Sequence, residues 1–174
     1  MRNSALLIRL LLPADASAFQ ALRLQGLREC PTAFASSYEE ELGEGAAEVA
    51  GRLARAPGRA MIGAFQGAAL VGFVGLQRES LRNLAHKVVL WGMVVAPEQR
   101  RSGVGRRLVV HALEAAFAMP GVRQVILSVN ATNRAALALY ESCGFERFGL
   151  ERQFMLVKGV PQDEIHMVRF APER

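Results

Sequence analysis

The sequence HKVVLWGMVV at residues 86–95 contains a long apolar run, VVLWGMVV. Its length and β-branched content predict a strand, and its apolar character predicts a central place in a sheet. Pro97 ends this strand pattern. The glycines Gly103 and Gly105 then lead into a helix that we expect from Gly103 to about Ala118. A central strand followed by a glycine-rich turn and a helix is typical of an α/β domain.

Strand and helix patterns alternate along the rest of the chain. We expect a strand at residues 5–11, a helix from Pro13 to about Arg28, and one or two amphipathic helices within residues 36–56. A Gly-Ala pair separates the strand patterns RAMIGAFQ and ALVGFVGLQRE, which predicts a hairpin. The C-terminal part predicts a strand at VRQVILSV, a helix at RAALALYESC and two strands around residues 158–161. This order indicates one α/β domain over residues 1–174, with a mixed sheet and helices on its faces.

The net charge of +5 at pH 7 would suit a nucleic acid, a membrane surface or a phosphorylated cofactor. The arginines are scattered from Arg2 to Arg174 and no nucleic-acid-binding signature is present, so we expect no nucleic-acid partner. No apolar run approaches the roughly 18 residues of a membrane span, so we expect no membrane partner. The motifs, rather than the charge, have to identify the ligand.

The early apolar run imitates the start of an export signal, but Arg9 interrupts it, and the core of such a signal should be uncharged. We therefore expect a cytoplasmic protein, in which Cys30 and Cys143 form no structural disulfide. Neither these cysteines nor the three histidines have the spacing of metal ligands, so we expect no metal site.

The sequence APEQRRSGVGRRL at residues 96–108 links the central strand to its helix. Backbone N–H groups converge at a helix N-terminus, where anions bind. Gly103 and Gly105 let a phosphate approach the backbone, and four flanking arginines can add charge-assisted hydrogen bonds: Arg100, Arg101, Arg106 and Arg107. The segment matches neither the dinucleotide fingerprint, because residue 108 is leucine, nor the P-loop, because Gly-Lys-Ser/Thr is absent. It would hold a pyrophosphate, or it is a basic turn that only precedes the helix.

The segment RRSGVG at residues 100–105 follows the pattern R/Q-x-x-G-x-G/A directly after an apolar strand. It resembles the pyrophosphate-binding signature of the GNAT superfamily of acetyl-CoA-dependent N-acyltransferases. The segment NRAALALYESCGF at residues 133–145 resembles the other half of that signature, N-x-x-A-x-x-x-Y-x-x-x-G-F. The resemblance, specific over residues 88–148, implies a GNAT-like α/β fold with a mixed, mostly antiparallel sheet of about six to seven strands flanked by helices on both faces.

The resemblance also implies acetyl-CoA as the cofactor. The implied cofactor-binding residues are Met93, Val94, Val95, Arg100, Arg101, Ser102, Gly103, Val104, Gly105, Arg106, Asn133 and Tyr140. A strand amide should polarise the acetyl carbonyl, Asn133 should bond the cofactor arm, and Tyr140 should protonate the departing thiolate. Asn133 and Tyr140 are seven residues apart and so share one helix face. A helix N-cap and a core aromatic would also explain them.

The general base is where the chain departs from relatives that acetylate ribosomal protein N-termini. Those relatives carry a glutamate five residues before the asparagine, and Ser128 stands at that position here. Because serine is not a base at neutral pH, we consider five other side chains: Glu29, Glu79, His86, Glu164 and His166. Glu164 and His166 rank first as catalytic residues because they alternate onto one face of a predicted strand. All five would also be ordinary surface groups.

The sequence therefore predicts an N-acetyltransferase that moves an acetyl group from acetyl-CoA to a primary amine by direct attack in a ternary complex. Residues 152–167 resemble the tails of small family members that acylate free amino acids, so we expect a free amino acid or a similar small amine as acceptor. Trp91 and Met93 would shape an apolar acceptor pocket, or pack in the core. The alternatives are a protein N-terminal or lysine acetyltransferase and a non-catalytic acetyl-CoA-binding domain. Because small members of the family often form dimers, a homodimer is an option.

Overall fold

A seven-stranded sheet organises the protein, which we describe from a computed structural model over residues 5–172. In chain order its strands are β1 (Leu6–Leu10), β2 (Arg59–Gln66), β3 (Ala69–Arg78), β4 (Lys87–Val95), β5 (Gln124–Asn130), β6 (Glu146–Val157) and β7 (Val160–Phe170). Their order across the sheet is β1-β2-β3-β4-β5-β7-β6, and each neighbouring pair is antiparallel except β4 and β5. The strand predicted to be central, β4, therefore lies at the centre of the sheet.

Helices cover both faces of this sheet. They are α1 (Ala16–Glu29), α2 (Tyr38–Leu42), α3 (Ala46–Leu53), α4 (Val104–Phe117) and α5 (Arg134–Ser142). Phe19 of α1 and Val49 of α3 belong to a buried cluster on one face, which includes Val94 of β4. The buried residues of α4 and α5 pack on the other face, around Val88 of β4 and Leu127 of β5. Each fully buried side chain of this kind stabilises the fold by about 1.5–3 kcal/mol.

The two central strands, β4 and β5, pair only where they begin. Parallel pairs join Lys87–Val89 to Gln124–Ile126, and within residues 5–172 no further pair connects these strands. β4 stays paired with β3 up to Val95, while β5 stays paired with β7 along its whole length, so their C-terminal halves separate. We call the resulting gap the β4–β5 slot. Ligands of α/β sheets bind at such C-terminal strand ends, and here the turn that starts α4 follows β4 directly.

The predicted fold class is confirmed by this mixed, mostly antiparallel sheet of seven strands with helices on both faces. The predicted helix at Pro13 begins as a single 3-10 turn, Pro13–Asp15, before α1 continues to Glu29. Residues 36–56 form two short helices, α2 and α3, because Ser37 and Glu40 close a capping box that starts α2.

The early apolar run, which imitates an export signal, forms the edge strand β1. It pairs with β2, and the Arg9 that interrupts the run bonds Asp15 at 2.8 Å. None of the helices between residues 5 and 172 combines the length and the apolar character needed to cross a membrane.

Candidate active site

A β-bulge at Gly92 shapes one wall of the β4–β5 slot. The pairing of β4 with β3 shifts there, because Gly92 and Met93 together oppose the single residue Val74. Gly92 has φ +63°, a conformation that glycine adopts at little cost. The bulge interrupts the alternation of β4, so Trp91 packs on the α1 face and Met93 packs on the α4 face. These two side chains therefore do not line an acceptor pocket together on one face.

The turn between β4 and α4 has backbone N–H groups that find no acceptor among residues 5–172. Within α4 the N–H of Arg107 donates to the Gly103 carbonyl at 3.1 Å, so the three preceding N–H groups have no acceptor inside the helix. Arg101 and Gly103 have φ +63° and +87°, which turns the chain sharply before the helix. Among residues 5–172 no atom lies within 4 Å of the position that a Cβ on Gly103 would take. The open side of Gly103, next to free N–H groups, fits a phosphate.

Gly105 has a different role from Gly103. A Cβ on Gly105 would lie 3.2 Å from Leu139 Cδ2 and 3.2 Å from Met93 Cε. These distances are tight, so the missing side chain lets α4 approach both α5 and the bulge of β4. The first glycine of the turn serves its backbone conformation and its open surroundings, whereas the second serves helix packing.

Three of the four arginines around this turn already have protein partners. Arg100 bonds Glu29 at 2.7 Å, and its Nε donates to the carbonyl of the last β4 residue at 3.2 Å. Arg106 donates to the carbonyl of the last α5 residue at 3.0 Å, and Arg107 donates to the first carbonyl of β1 at 3.1 Å. These guanidinium groups tie the turn to the surrounding elements, and the exposed Arg101 is the arginine best placed to meet an anion.

Helix α5 brings Asn133 and Tyr140 to the α4 face of the sheet. Asn133 is the N-cap of α5, and its Oδ1 accepts from the N–H of Ala136 at 3.1 Å. Tyr140 is buried, and its hydroxyl donates to Met93 Sδ at 3.6 Å, next to the bulge. Burial, with a smaller contribution from Cys143, raises the pKa of the Tyr140 phenol above its ordinary value of 10.0. The phenol therefore stays protonated at neutral pH and can act as a donor.

A polar row crosses three strands on the opposite face of the sheet. Ser128 of β5 pairs with His166 of β7, which in turn pairs with Gly149 of β6. Ser128 Oγ lies 2.7 Å from Nδ1 of His166, and Nε2 of the same ring lies 2.9 Å from Glu151 Oε2. Leu127 packs in the cluster on the α4 face, so its neighbour Ser128 points to the α1 face.

Glu164 lies next to this row, in the same strand as His166. It pairs with Asn130 of β5 and is only 7% exposed. In the part of the chain that the structure describes, its Oε2 is buried without a hydrogen-bond partner. Burial raises the pKa of the Glu164 carboxyl; His166 opposes this effect and Glu151 adds to it. A carboxyl group with a raised pKa is suited to proton transfer near neutral pH.

The other three base candidates lie elsewhere. Glu29 accepts from Gln25 and pairs with Arg100, and these contacts lower the pKa of its carboxyl, which makes it a weaker base. Glu79 and His86 flank the beginning of β4, the end opposite the slot, where the Glu79 N–H donates to the carbonyl of the first β4 residue. The structure thus brings Glu164 and His166 together and leaves the other three apart from them. Among residues 5–172, no three His, Cys, Asp or Glu side chains form a group that could hold a metal ion.

A buried ion pair supports the bulge from the α1 side, and sequence reasoning missed it. Arg23 of α1 bonds Glu41 of α2 at 2.7 Å, with both side chains almost fully buried. Arg23 Nη1 lies 3.9 Å from the position that a Cβ on Gly92 would take. Arg23 and Glu41 are 18 positions apart, and no local pattern signals their contact. Sequence reasoning also missed the contact of Glu151 with His166, because the register of β6 is irregular on both sides of Glu151.

The family model described as the Acetyltransferase (GNAT) family matches residues 24–145. Among curated proteins, the N-alpha-acetyltransferase RimI of Mycobacterium tuberculosis is 41% identical over 98 residues, which are 56% of this chain and 59% of that protein. The chain covers 59% or less of the length of the first curated relatives it matches.

Solved structures share the fold along almost the whole chain. An acetyltransferase of the GNAT family from Streptococcus pneumoniae superposes with a TM-score of 0.84 at 24% identity, over 96% of this chain and 100% of that one. The acetyltransferase yncA from Salmonella typhimurium, solved with its cofactor acetyl-CoA, gives a TM-score of 0.80 at 18% identity, over 98% and 96% of the two chains. Because the family model spans more than half of the residues, the resemblance seen in the two motifs is confirmed, and the chain belongs to the GNAT family of acetyltransferases.

Proposed function

We propose that this protein is an acetyl-CoA-dependent N-acetyltransferase that acetylates a primary amine by direct attack in a ternary complex. The observation that carries this proposal is the arrangement around the β4–β5 slot. The phosphate-compatible turn at Gly103 follows one wall of the slot, Tyr140 lies on one face of the sheet, and Glu164 and His166 lie on the other. Two reactants could therefore approach from opposite faces and meet at the bulge of β4.

Acetyl-CoA would supply the acetyl group as a thioester. The N–H groups of Val104, Gly105 and Arg106 would hold its pyrophosphate, helped by the open side of Gly103 and by Arg101. The end of β4 beyond Val89 has a free edge toward β5, where its backbone would bond the cofactor arm. Asn133 already uses its Oδ1 as a helix cap, so its amide NH₂ is the group left to reach the cofactor.

The Tyr140 hydroxyl would donate to the leaving sulfur. Its only protein acceptor is the thioether of Met93, among the described residues, and a thioether sulfur is a weak acceptor that a thiolate would readily replace. Because the raised pKa keeps the phenol protonated, the donor is present at every pH near neutrality. The phenol would regain its proton from solvent after the thiol leaves.

The acceptor amine must lose a proton as it attacks, and the α1 face supplies the groups for this step. Glu164 is a buried carboxyl with a raised pKa, and His166 is held two residues away on the same face of β7. Together they support the proposed roles of both residues as proton acceptors. The carboxylates of Glu151 and Glu164 would also attract a cationic amine before it is deprotonated.

We propose a free amino acid or a similar small amine as the acceptor. The support is Ser128, which replaces the glutamate found in relatives that acetylate ribosomal protein N-termini, and the resemblance of residues 152–167 to the tails of small family members that acylate free amino acids. A protein N-terminal acceptor is the second candidate, because the relative from Mycobacterium tuberculosis carries the name N-alpha-acetyltransferase. A lysine acceptor and a non-catalytic cofactor-binding role are the alternatives to this proposal, and a cytoplasmic location and a homodimer stay predictions.

Thermal and urea unfolding with and without acetyl-CoA test the cofactor site. A ligand at a hundred times its Kd should stabilise the protein by about 2.7 kcal/mol. The variant Gly103→Glu places a carboxylate against the phosphates, and a 100-fold weaker Kd would leave a gain of only about 0.4 kcal/mol.

Gly159→Glu is the matched control for this experiment. Gly159 has φ +78° in the β6–β7 turn, and among residues 5–172 nothing lies within 4 Å of its Cβ position. Both variants therefore carry the same backbone strain and the same charge, and only the first should lose the response to acetyl-CoA. No stabilisation of the unsubstituted protein at saturating acetyl-CoA would refute the proposal.

A further inference from the structure

Ser128, His166 and Glu151 form a continuous hydrogen-bonded chain across three neighbouring strands. Ser128 Oγ is 2.7 Å from His166 Nδ1, and His166 Nε2 is 2.9 Å from Glu151 Oε2. These contacts follow from the register of β7 with its two neighbouring strands, because His166 faces Ser128 on one side and Gly149 on the other. Because Gly149 carries no side chain, the ring is free to meet Glu151, which is two residues further along the same face of β6.

The Glu151 carboxylate sets the donor and acceptor of each hydrogen bond in this series. A carboxylate oxygen can only accept, so the neutral imidazole carries its proton on Nε2 and donates it to Glu151. Nδ1 is then the acceptor, and the Ser128 hydroxyl donates its proton to it. The Ser128 oxygen keeps its lone pairs free to accept a proton from another group.

This oxygen lies at the mouth of the β4–β5 slot. Ile126 is the last β5 residue that pairs with β4, and Ser128 is the next residue on that face of β5. On the facing wall, the bulge at Gly92 starts three residues after Val89, the last β4 residue of the same pairing. The bulge and Ser128 are thus at similar heights along the slot. Ser128 is exposed and His166 is partly exposed, so both the acceptor amine and solvent can reach these hydrogen-bonded side chains.

We infer that Ser128 is a catalytic residue that relays the proton of the acceptor amine to His166, and that Glu151 positions the imidazole. This inference rests on the proposed N-acetyltransferase function and names the route of its proton. As the amine nitrogen bonds the acetyl carbon and the carbon–sulfur bond breaks, the amine proton passes to Ser128 Oγ. The hydroxyl proton of Ser128 passes to His166 Nδ1 in the same step, and Glu151 stabilises the imidazolium that forms.

The proton balance closes without any further reactant. His166 releases its extra proton to solvent, and the departing sulfur takes a proton from Tyr140, which solvent replaces. A cationic amine first releases one proton to solvent, and from its neutral form the net change is one amine and one thioester converted to one amide and one thiol. A serine that cannot act as a base alone thereby serves at the position where N-terminal acetyltransferases carry a glutamate, because a cross-strand histidine takes up its proton.

Paired substitutions at Ser128 test the relay in the 174-residue chain. Ser128→Ala removes the hydroxyl, and we expect kcat to fall by about 100-fold with an unchanged KM for acetyl-CoA, in the range of lost acid–base catalysis. Ser128→Thr keeps a hydroxyl and should retain kcat within about fivefold. Ser80→Ala, at an exposed serine between β3 and β4, is the control for the loss of a surface hydroxyl.

The ring nitrogens of His166 give a readout that does not depend on turnover. Long-range ¹H–¹⁵N spectra of the imidazole, assigned by comparison with His166→Asn, should show a proton on Nε2 and none on Nδ1 in the neutral ring. Glu151→Gln offers an amide donor to Nε2 and should move the proton to Nδ1, which abolishes the relay and lowers kcat by about 100-fold or more. His111→Asn in α4 controls for loss of an unrelated imidazole.

The outcomes separate the relay from the function on which it rests. Loss of kcat in Ser128→Ala with retention in Ser128→Thr supports the relay. Turnover of Ser128→Ala within threefold of the unsubstituted protein overturns the relay alone and leaves Glu164 or His166 to accept the proton directly. A neutral ring protonated on Nδ1 also overturns it. Absence of amine-dependent turnover in the unsubstituted protein would overturn the N-acetyltransferase function and the relay together.

Discussion

Loss of the Glu41 carboxylate should destabilise the protein strongly, because this carboxylate neutralises a buried arginine. Arg23 is 7% exposed, and it reaches Glu41 with Nε at 2.9 Å and with Nη2 at 2.7 Å. Its Nη1 is already buried without a partner among residues 5–172, so the Glu41 carboxylate carries most of the compensation for this buried guanidinium. In Glu41→Ala the guanidinium would stay buried with its contacts to Ser36 and the Phe34 ring but without an opposite charge, which costs about 3–5 kcal/mol.

The expected loss is large for a protein of this size. At about 2–4 °C per kcal/mol, it corresponds to a fall in Tm of about 6–20 °C. Urea unfolding followed by circular dichroism gives the free energy directly, and an unchanged m-value would show that both proteins unfold from equally compact states. Glu39→Ala, in the same helix but exposed, is the matched control and should change stability by less than about 0.5 kcal/mol.

The pH dependence of this loss has a definite sign. Burial alone would raise the pKa of Glu41, but hydrogen bonds from Arg23 and Ser36 outweigh it and hold the pKa below the ordinary 4.5. The unfolded state therefore binds more protons between the two pKa values, so the stabilisation by Glu41 is complete above pH 4.5 and is lost as the pH falls further. The difference in the free energy of unfolding between Glu41→Ala and the unsubstituted protein should be constant from pH 8 to pH 5 and shrink in stronger acid.

A double variant decides whether the charge or the packing is responsible. If uncompensated charge causes the loss, Arg23→Met with Glu41→Leu should recover most of the stability, because apolar side chains of similar volume replace a buried pair well. A loss below about 1 kcal/mol in Glu41→Ala at pH 7, or an equal loss in the double variant, would show that the buried charge of Arg23 does not cause the destabilisation.

Two further substitutions have expected outcomes. Tyr140→Phe should lower kcat by about 100-fold and leave the KM for acetyl-CoA and the free energy of unfolding nearly unchanged, because the lost hydroxyl bonds only a weak thioether acceptor. Steady-state kinetics check this against Tyr38→Phe, and equal turnover of the two variants would contradict the role of Tyr140. As the pH rises above 4.5, the unsubstituted protein should lose part of its free energy of unfolding because Glu164 ionises. The variant Glu164→Gln cannot ionise there and should lose less. The raised pKa makes the folded state bind more protons in that window, so stability declines as the carboxyl ionises. Parallel unfolding curves at pH 4 to 8 test this, and identical pH dependences would disprove it.

The parts of the fold that rest on local pattern were predictable from the sequence. Apolar runs placed the strands, and the apolar character of residues 86–95 predicted the central position of β4. The motif at Gly103 predicted the start of α4 within one residue. In the structure Gly103 has a positive φ and directly precedes the first residue of this helix. Alternation along β7 predicted that Glu164 and His166 share a face.

The parts that depend on contacts distant in sequence were not predictable. The link of Ser128 to His166 requires the register of β5 with β7, which a single sequence does not specify. The bulge at Gly92 changes which residues face each side, so simple alternation along β4 does not predict that Trp91 and Met93 lie on opposite faces. The burial of Arg23 required a partner carboxylate in another helix, and charged residues in sequence normally indicate an exposed surface.

The proposed N-acetyltransferase activity is tested by measuring amine-dependent release of the CoA thiol from acetyl-CoA. The acceptors should include free amino acids, a polyamine and a short peptide with an N-terminal alanine, and mass spectrometry should identify each product. We expect the rate to rise with the concentration of a small primary amine and to saturate, with the acetyl group on nitrogen. Binding of acetyl-CoA without faster thiol release for any of these amines would contradict the account and favour a non-catalytic binding domain.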